Sequence, residues 1–130
     1  DGEFQIGQTW EALQFMAHHR LDNLLILIDA NGQQCDGLID GVMGIEPLAA
    51  RIAAFGGCVS VVDGHDLAAI VDASGHHQAD KPLVVIARTD PCRGVELLSR
   101  NAPKLHYLRF KSREEKALFA DCLANWPKEV

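Results

Sequence analysis

The sequence lacks several features that would each mark a class of protein. It has no basic tract and a net charge of −6, which sets it against a nucleic-acid or anionic-membrane surface as its main role. No apolar run approaches the length of a membrane span, and the first residues do not have the pattern of a signal peptide. Its four cysteines, Cys35, Cys58, Cys92 and Cys122, include no C-x-x-C pair. That excludes the usual zinc spacing and argues for reduced thiols in a cytoplasmic setting, not a disulfide framework. There is no internal repeat, linker or low-complexity segment, and no Ser/His/Asp triad or nucleotide-binding glycine loop. At 130 residues the expectation is one modest domain at most.

What is present is a globular balance of 48% hydrophobic to 23% charged residues, arranged as alternating helices and strands. Residues 8–21 are expected to form a helix, with Trp10, Leu13, Ala17 and Leu21 on one stripe widened by Phe15 and Met16. LLILID (24–29) has no alternation and is expected to be a central parallel strand, buried on both faces. The glycine-rich 32–44 reads as a long loop. A second helix is expected from Pro47 to Phe55, stopped by Gly56-Gly57. CVSVVD (58–63) is the second strand, 66–75 a third helix, and LVVIAR (83–88) the third strand. Residues 91–111 are irregular, with a short helical turn near 94–99. The last helix starts at Ser112, with Glu115 completing a capping box, and runs to about Trp126 before Pro127.

Strands alternating with helices give an α/β class with a doubly wound parallel sheet of about three strands and flanking helices. Three apolar strands leave unsatisfied edges, so the chain looks like the back half of a larger domain. Two polar stretches flank the first helix and strand: Asp1-Gly2 before the helix, Asn31-Gly32 after the strand. Such a unit returns residues thirty apart to the carboxyl edge of the sheet, where open α/β sheets bind ligands. One carboxylate and one amide oxygen there suit a hard divalent cation. On spacing alone, a helix N-cap and an Asn-Gly turn are the better reading of the same residues.

The run DGE-x-Q-x-G-x-x-WEA, the LDNL before the strand and the NG-x-Q-x-DG after it resemble the thiamine diphosphate signature of the transketolase family. The resemblance continues through VDGHD (62–66), KP-x-V-x-IART (81–89), RGV (93–95) and a Pro-x-x-His at 103–106. It implies that residues 1–130 are part of a transketolase-like, diphosphate-side cofactor domain. It implies that Asp1, Asn31 and the backbone carbonyl of Gln33 hold Mg²⁺ or Ca²⁺, and that Gly2 lets its N–H approach the diphosphate. Asn31 thus serves metal and cofactor together. His106 matches a family histidine near the diphosphate and the reacting carbon, which makes it a candidate both for cofactor binding and for catalysis. Glu11 matches an acidic residue of the family's dimer interface. Ile6 stands where a second one falls, and cannot share a proton.

The departures are Tyr107 in place of the glycine after that histidine, and Pro-Cys-Arg-Gly at 91–94 in place of a loop containing glycine and lysine. His65 is expected to be structural, at a tight turn. The pairs His18-His19 and His76-His77 are read as solvated, the first with side chains diverging on a helix.

The implied activity is transfer of a two-carbon ketol unit between sugar phosphates or related substrates, by a chain that does not turn over alone. The family's aminopyrimidine-activating carboxylate belongs to a separate pyrimidine domain. The expected partners are therefore a pyrimidine-domain chain, the missing N-terminal part of the same domain, or both, in a dimeric assembly. Two alternatives stand beside this: a ketol or acyl transferase acting on a carrier-bound acceptor, and a non-catalytic scaffold fragment.

Overall fold

The structure, a computed structural model, describes residues 1–126. A 3-10 turn over Gly2–Gln5 leads into helix α1 (Gly7–His18) and strand β1 (Leu25–Ala30). A small hairpin follows, β2 (Gln33–Gln34) and β3 (Gly37–Leu38), then a single turn of helix, α2 (Ile39–Val42). After it come α3 (Leu48–Ala54), β4 (Cys58–Asp63), α4 (Leu67–Ser74), β5 (Leu83–Arg88), a 3-10 turn over Glu96–Asn101 and α5 (Arg113–Ala124). The segment read as a plain loop at 32–44 therefore carries a hairpin and a helical turn. Strands and turns this short give no periodic signal to read.

The sheet is parallel, in the order β1-β5-β4. β5 is the central strand, with Leu83, Val84, Val85 and Ile86 all at 1% exposure or less. LLILID, expected to be central and buried on both faces, is an edge among the three strands of this chain, where Leu25 and Leu27 are 42% and 58% exposed. Both apolar runs read alike in sequence; which one is flanked on two sides depends on pairings made by residues far apart.

Side chains alternate across the sheet. Ile28, Ala30, Val84 and Ile86 pack on one face with Leu13 of α1 and with Leu48 and Ile52 of α3. Leu83 and Val85 pack on the other face with Ala73 of α4. Helices on both faces make the sheet doubly wound.

Three local expectations change. Helix α1 ends at His18, and Phe15 is 59% exposed, its ring tilted against that of His19 with centroids 4.2 Å apart. His18 and His19 do not diverge: their rings meet edge to face at 5.0 Å, because His19 has already left the helix. At α5, Ser112 Oγ accepts the Glu115 N–H at 3.1 Å, but Glu115 returns to the N–H of Lys111, not that of Ser112. Pro127, read as the stop of that helix, lies outside the described residues.

Candidate functional site

The site lies at the carboxyl end of β1, where three segments meet. Asp1 enters from the 3-10 turn, which is held by packing: the Trp10 indole donates to the Phe4 carbonyl at 2.9 Å, and the two rings meet edge to face. Thr9 and Gln5 add hydrogen bonds to the Glu3 and Met43 carbonyls, both at 2.8 Å. Buried Phe4 and half-buried Trp10 thus aim the polar residues beside them toward the sheet edge. Asn31 and Gly32 leave β1 in a tight turn. The Gln33 N–H donates to Asn31 Oδ1 at 2.8 Å, and Gly32 takes φ +71°, a region open to glycine. That turn points the Gly32 N–H at Asp1, whose Oδ2 accepts it at 2.8 Å.

The arrangement leaves polar atoms unused. Asp1 Oδ1, Gln33 Oε1 and Gln34 Nε2 are buried without a hydrogen-bond partner. Buried polar atoms are nearly always satisfied, so three orphans around one turn fit a bound group or ordered water there. Gly2 lies against the same hairpin: a Cβ there would come within 3.3 Å of Gln34 Cβ and 3.8 Å of the Gln33 carbonyl oxygen. Asp1, Gly2, Asn31, Gln33 and His106 all line one cavity of about 730 Å³. No three His, Cys, Asp or Glu residues cluster among the described residues. One carboxylate, one amide oxygen and one main-chain carbonyl form a hard oxygen donor set, suited to Mg²⁺ or Ca²⁺ and not to a soft metal. The residues present therefore fit a divalent cation with an anionic ligand beside it.

The other candidates divide. His106 borders the cavity but is exposed, its ring edge-on to Tyr107 at 4.6 Å. Ile6 also lines the cavity, 56% exposed. Glu11 is exposed on α1. His65 makes a structural contact: its Nε2 accepts the Asp90 N–H at 2.8 Å, tying the turn after β4 to the chain leaving β5. His76 and His77 are exposed, the first 3.4 Å from Asp72 and the second beside the Asp22 carbonyl. All four cysteines are free thiols, and no helix among the described residues is long and apolar enough to cross a membrane.

Two further residues belong to the site, Asp29 near the end of β1 and Thr89 at the close of the IART run. Asp29 accepts the Asn31 side-chain N–H at 2.8 Å on Oδ2 and bonds the Thr89 hydroxyl through Oδ1. Its signal was available: a lone carboxylate closing an otherwise apolar strand. Thr89 carries no such signal, because only the β1–β5 register sets it beside Asp29.

A parallel, doubly wound sheet with an oxygen-rich turn at its carboxyl edge is the class of domain that binds phosphorylated ligands there. Residues 1–106 match the family model of the transketolase thiamine diphosphate binding domain. An uncharacterised transketolase family protein of Sinorhizobium fredii is 38% identical over 88% of this chain and 42% of its own length. A 6-deoxy-6-sulfo-D-fructose transketolase subunit of Clostridium sp. is 32% identical over 93% of this chain and 44% of its own. The crystal structure of transketolase from Campylobacter jejuni superposes on 68% of this chain and 14% of that one, with a TM-score of 0.61 and 29% identity. The chain belongs to the transketolase family, in its thiamine diphosphate binding domain. It spans less than half the length of either of these two relatives.

Proposed function

We propose that the chain is the metal- and diphosphate-binding part of a transketolase-type enzyme that moves a two-carbon ketol unit between sugar phosphates or related substrates. The observation that carries this reading is the Asp1 carboxylate: one oxygen held by the Gly32 N–H, the other buried and bare, beside an Asn31 amide locked in its turn. Asp1, Asn31 and the Gln33 carbonyl hold Mg²⁺ or Ca²⁺ in this reading. Gly2 admits the diphosphate to the hairpin backbone, and His106 faces the cofactor from the cavity rim. Thiamine diphosphate, when bound, supplies the electron sink for carbon–carbon bond cleavage and formation. The chain's own part is to bind and orient it.

The assembly extends beyond this chain in the same reading. The exposed Leu25 and Leu27 on edge strand β1 ask for cover, and one relative is named as a transketolase subunit. Partners that complete the diphosphate domain and supply a pyrimidine domain would cover this edge, in a dimeric assembly. The free thiols and acidic charge suit a cytoplasmic enzyme.

Asn31→Leu tests the reading directly. It replaces a ligand oxygen by an isobutyl group, so calorimetry on the complete assembly should detect no Mg²⁺-dependent binding of thiamine diphosphate. Wild-type affinity in that variant would refute it.

A further inference from the structure

We propose that Asp29 is a positioning residue of the cation site: its carboxylate, together with the Gln33 N–H at the other end, fixes which end of the Asn31 amide faces the cation. This rests on the reading of Asn31 as a ligand. A side-chain amide has two ends of nearly equal size, one a donor and the other an acceptor. Only the oxygen end can ligate a hard cation. A turn that left the amide free to rotate would offer nitrogen as readily as oxygen.

The structure removes that freedom from both ends. An ionised carboxylate accepts and does not donate, so Asp29 Oδ2, 2.8 Å from Asn31 Nδ2, can hold only the nitrogen end. The oxygen end receives the Gln33 N–H at 2.8 Å, which uses one of its two lone pairs and leaves one for a ligand. Asp29 is itself held. β1 and β5 pair in parallel with Asp29 opposite Ala87, and Thr89, two residues on, points to the same face of the sheet. Its hydroxyl bonds Asp29 Oδ1. Both carboxylate oxygens are therefore engaged, which is the pattern of a residue that orients a ligand.

Asp29 also reaches the second ligand candidate by a separate group. Its main-chain carbonyl accepts from the main-chain nitrogen of Asp1 at 2.8 Å. One residue thus sets the place of Asp1 through its backbone and the orientation of Asn31 through its side chain. Its carboxylate can be removed without disturbing the backbone contact. Because Asp29 is exposed, that removal leaves no cavity in the core.

The experiment measures, in the complete assembly containing this chain, the Mg²⁺ concentration that half-saturates thiamine diphosphate binding, by calorimetry. The melting temperature of the metal-free assembly is recorded alongside. Asp29→Ala should raise the Mg²⁺ requirement about 10- to 100-fold, the usual cost of losing a group that orients a metal ligand, with the metal-free melting temperature unchanged. Asp29→Asn should stay within about threefold of wild type, since its oxygen can take the Asn31 N–H and its NH₂ can donate to the Thr89 hydroxyl, which also accepts.

A wild-type Mg²⁺ requirement in Asp29→Ala, with Asn31→Leu losing binding, would overturn the positioning role and leave Asn31 a ligand. Wild-type behaviour in both would remove the cation site and this proposal with it. If Asp29→Ala does not assemble, Thr89→Val decides. It frees the carboxylate without deleting it and should raise the requirement about threefold; no change there would overturn the proposal.

Discussion

Asp1 Oδ2 accepts the Gly32 N–H at 2.8 Å across a separation of 31 residues, while Asp1 Oδ1 is buried with no partner. The two oxygens of one carboxylate thus stand in different roles. One closes the turn after β1, and the other has no partner among the described residues. Asp1→Asn keeps an oxygen for the Gly32 N–H but loses the negative charge. The fold should persist, and the Mg²⁺ requirement for thiamine diphosphate binding should rise by about 10-fold or more. A calorimetric titration matching wild type would exclude Asp1 as a ligand.

Gly32 makes that contact from φ +71°. No atom stands within 4 Å of where its Cβ would be, so a substitution there meets strain and not a clash. Gly32→Ala should cost about 1 kcal/mol in urea unfolding, the usual penalty for a left-handed alanine. It should also weaken cofactor binding, because relaxing the turn moves the N–H away from Asp1. An alanine variant as stable as wild type would mean that the turn adapts freely.

His106 stands at the cavity rim, exposed, away from the Asp1–Asn31 turn's hydrogen bonds. His106→Ala should therefore leave Mg²⁺ and thiamine diphosphate binding near wild type. It should lower ketol-transfer turnover in the complete assembly by about 10²-fold, the low end for a positioned acid–base group. Full turnover in the variant would assign His106 to the loop surface.

Glu46 and Arg88 tie the start of α3 to the end of β5, with 2.6 Å between their charged atoms. The Arg88 hydrogen bond, and then the Leu48 N–H, hold the Glu46 carboxyl below the usual carboxylate range. A depressed carboxyl stabilises the fold above its unfolded value, and the gain is lost as pH falls through the folded value. The pair is about half exposed, so screening limits it to about 0.5 kcal/mol. Glu46→Gln should be less stable than wild type by that amount at neutral pH, with the gap closing in acid. A gap that widened in acid would give the wrong sign.

Leu27 is 58% exposed on edge strand β1. Leu27→Lys should leave the chain's own melting temperature unchanged, because the residue is not in either core cluster. In the reading proposed above it should block assembly, by placing a charge where a partner packs. Size-exclusion chromatography of the variant with its partners would show the chain unassembled. The isolated wild-type chain should show no ketol transfer with cofactor, metal and sugars.

Much of the fold was legible because it is written locally. The strands Cys58–Asp63 and Leu83–Arg88 end where the apolar runs CVSVVD and LVVIAR end, and Ser112 does cap α5. The pairing of Asp1-Gly2 with Asn31-Gly32 was also legible, since a helix and a strand of known length must bring the chain back to the same edge. Three other features were decided only by tertiary structure. LLILID and LVVIAR read alike as strings, yet among the strands of this chain β5 lies between the other two and β1 beside it, because strand order depends on which distant segments pair. Nothing local joins Thr89 to Asp29, 60 residues earlier; the parallel register does. The bare oxygen of Asp1 is likewise invisible in the sequence, which can name a carboxylate but not count the donors that reach it. Composition and periodicity act over a few residues, whereas hydrogen-bond satisfaction is settled by everything that folding brings within 3 Å.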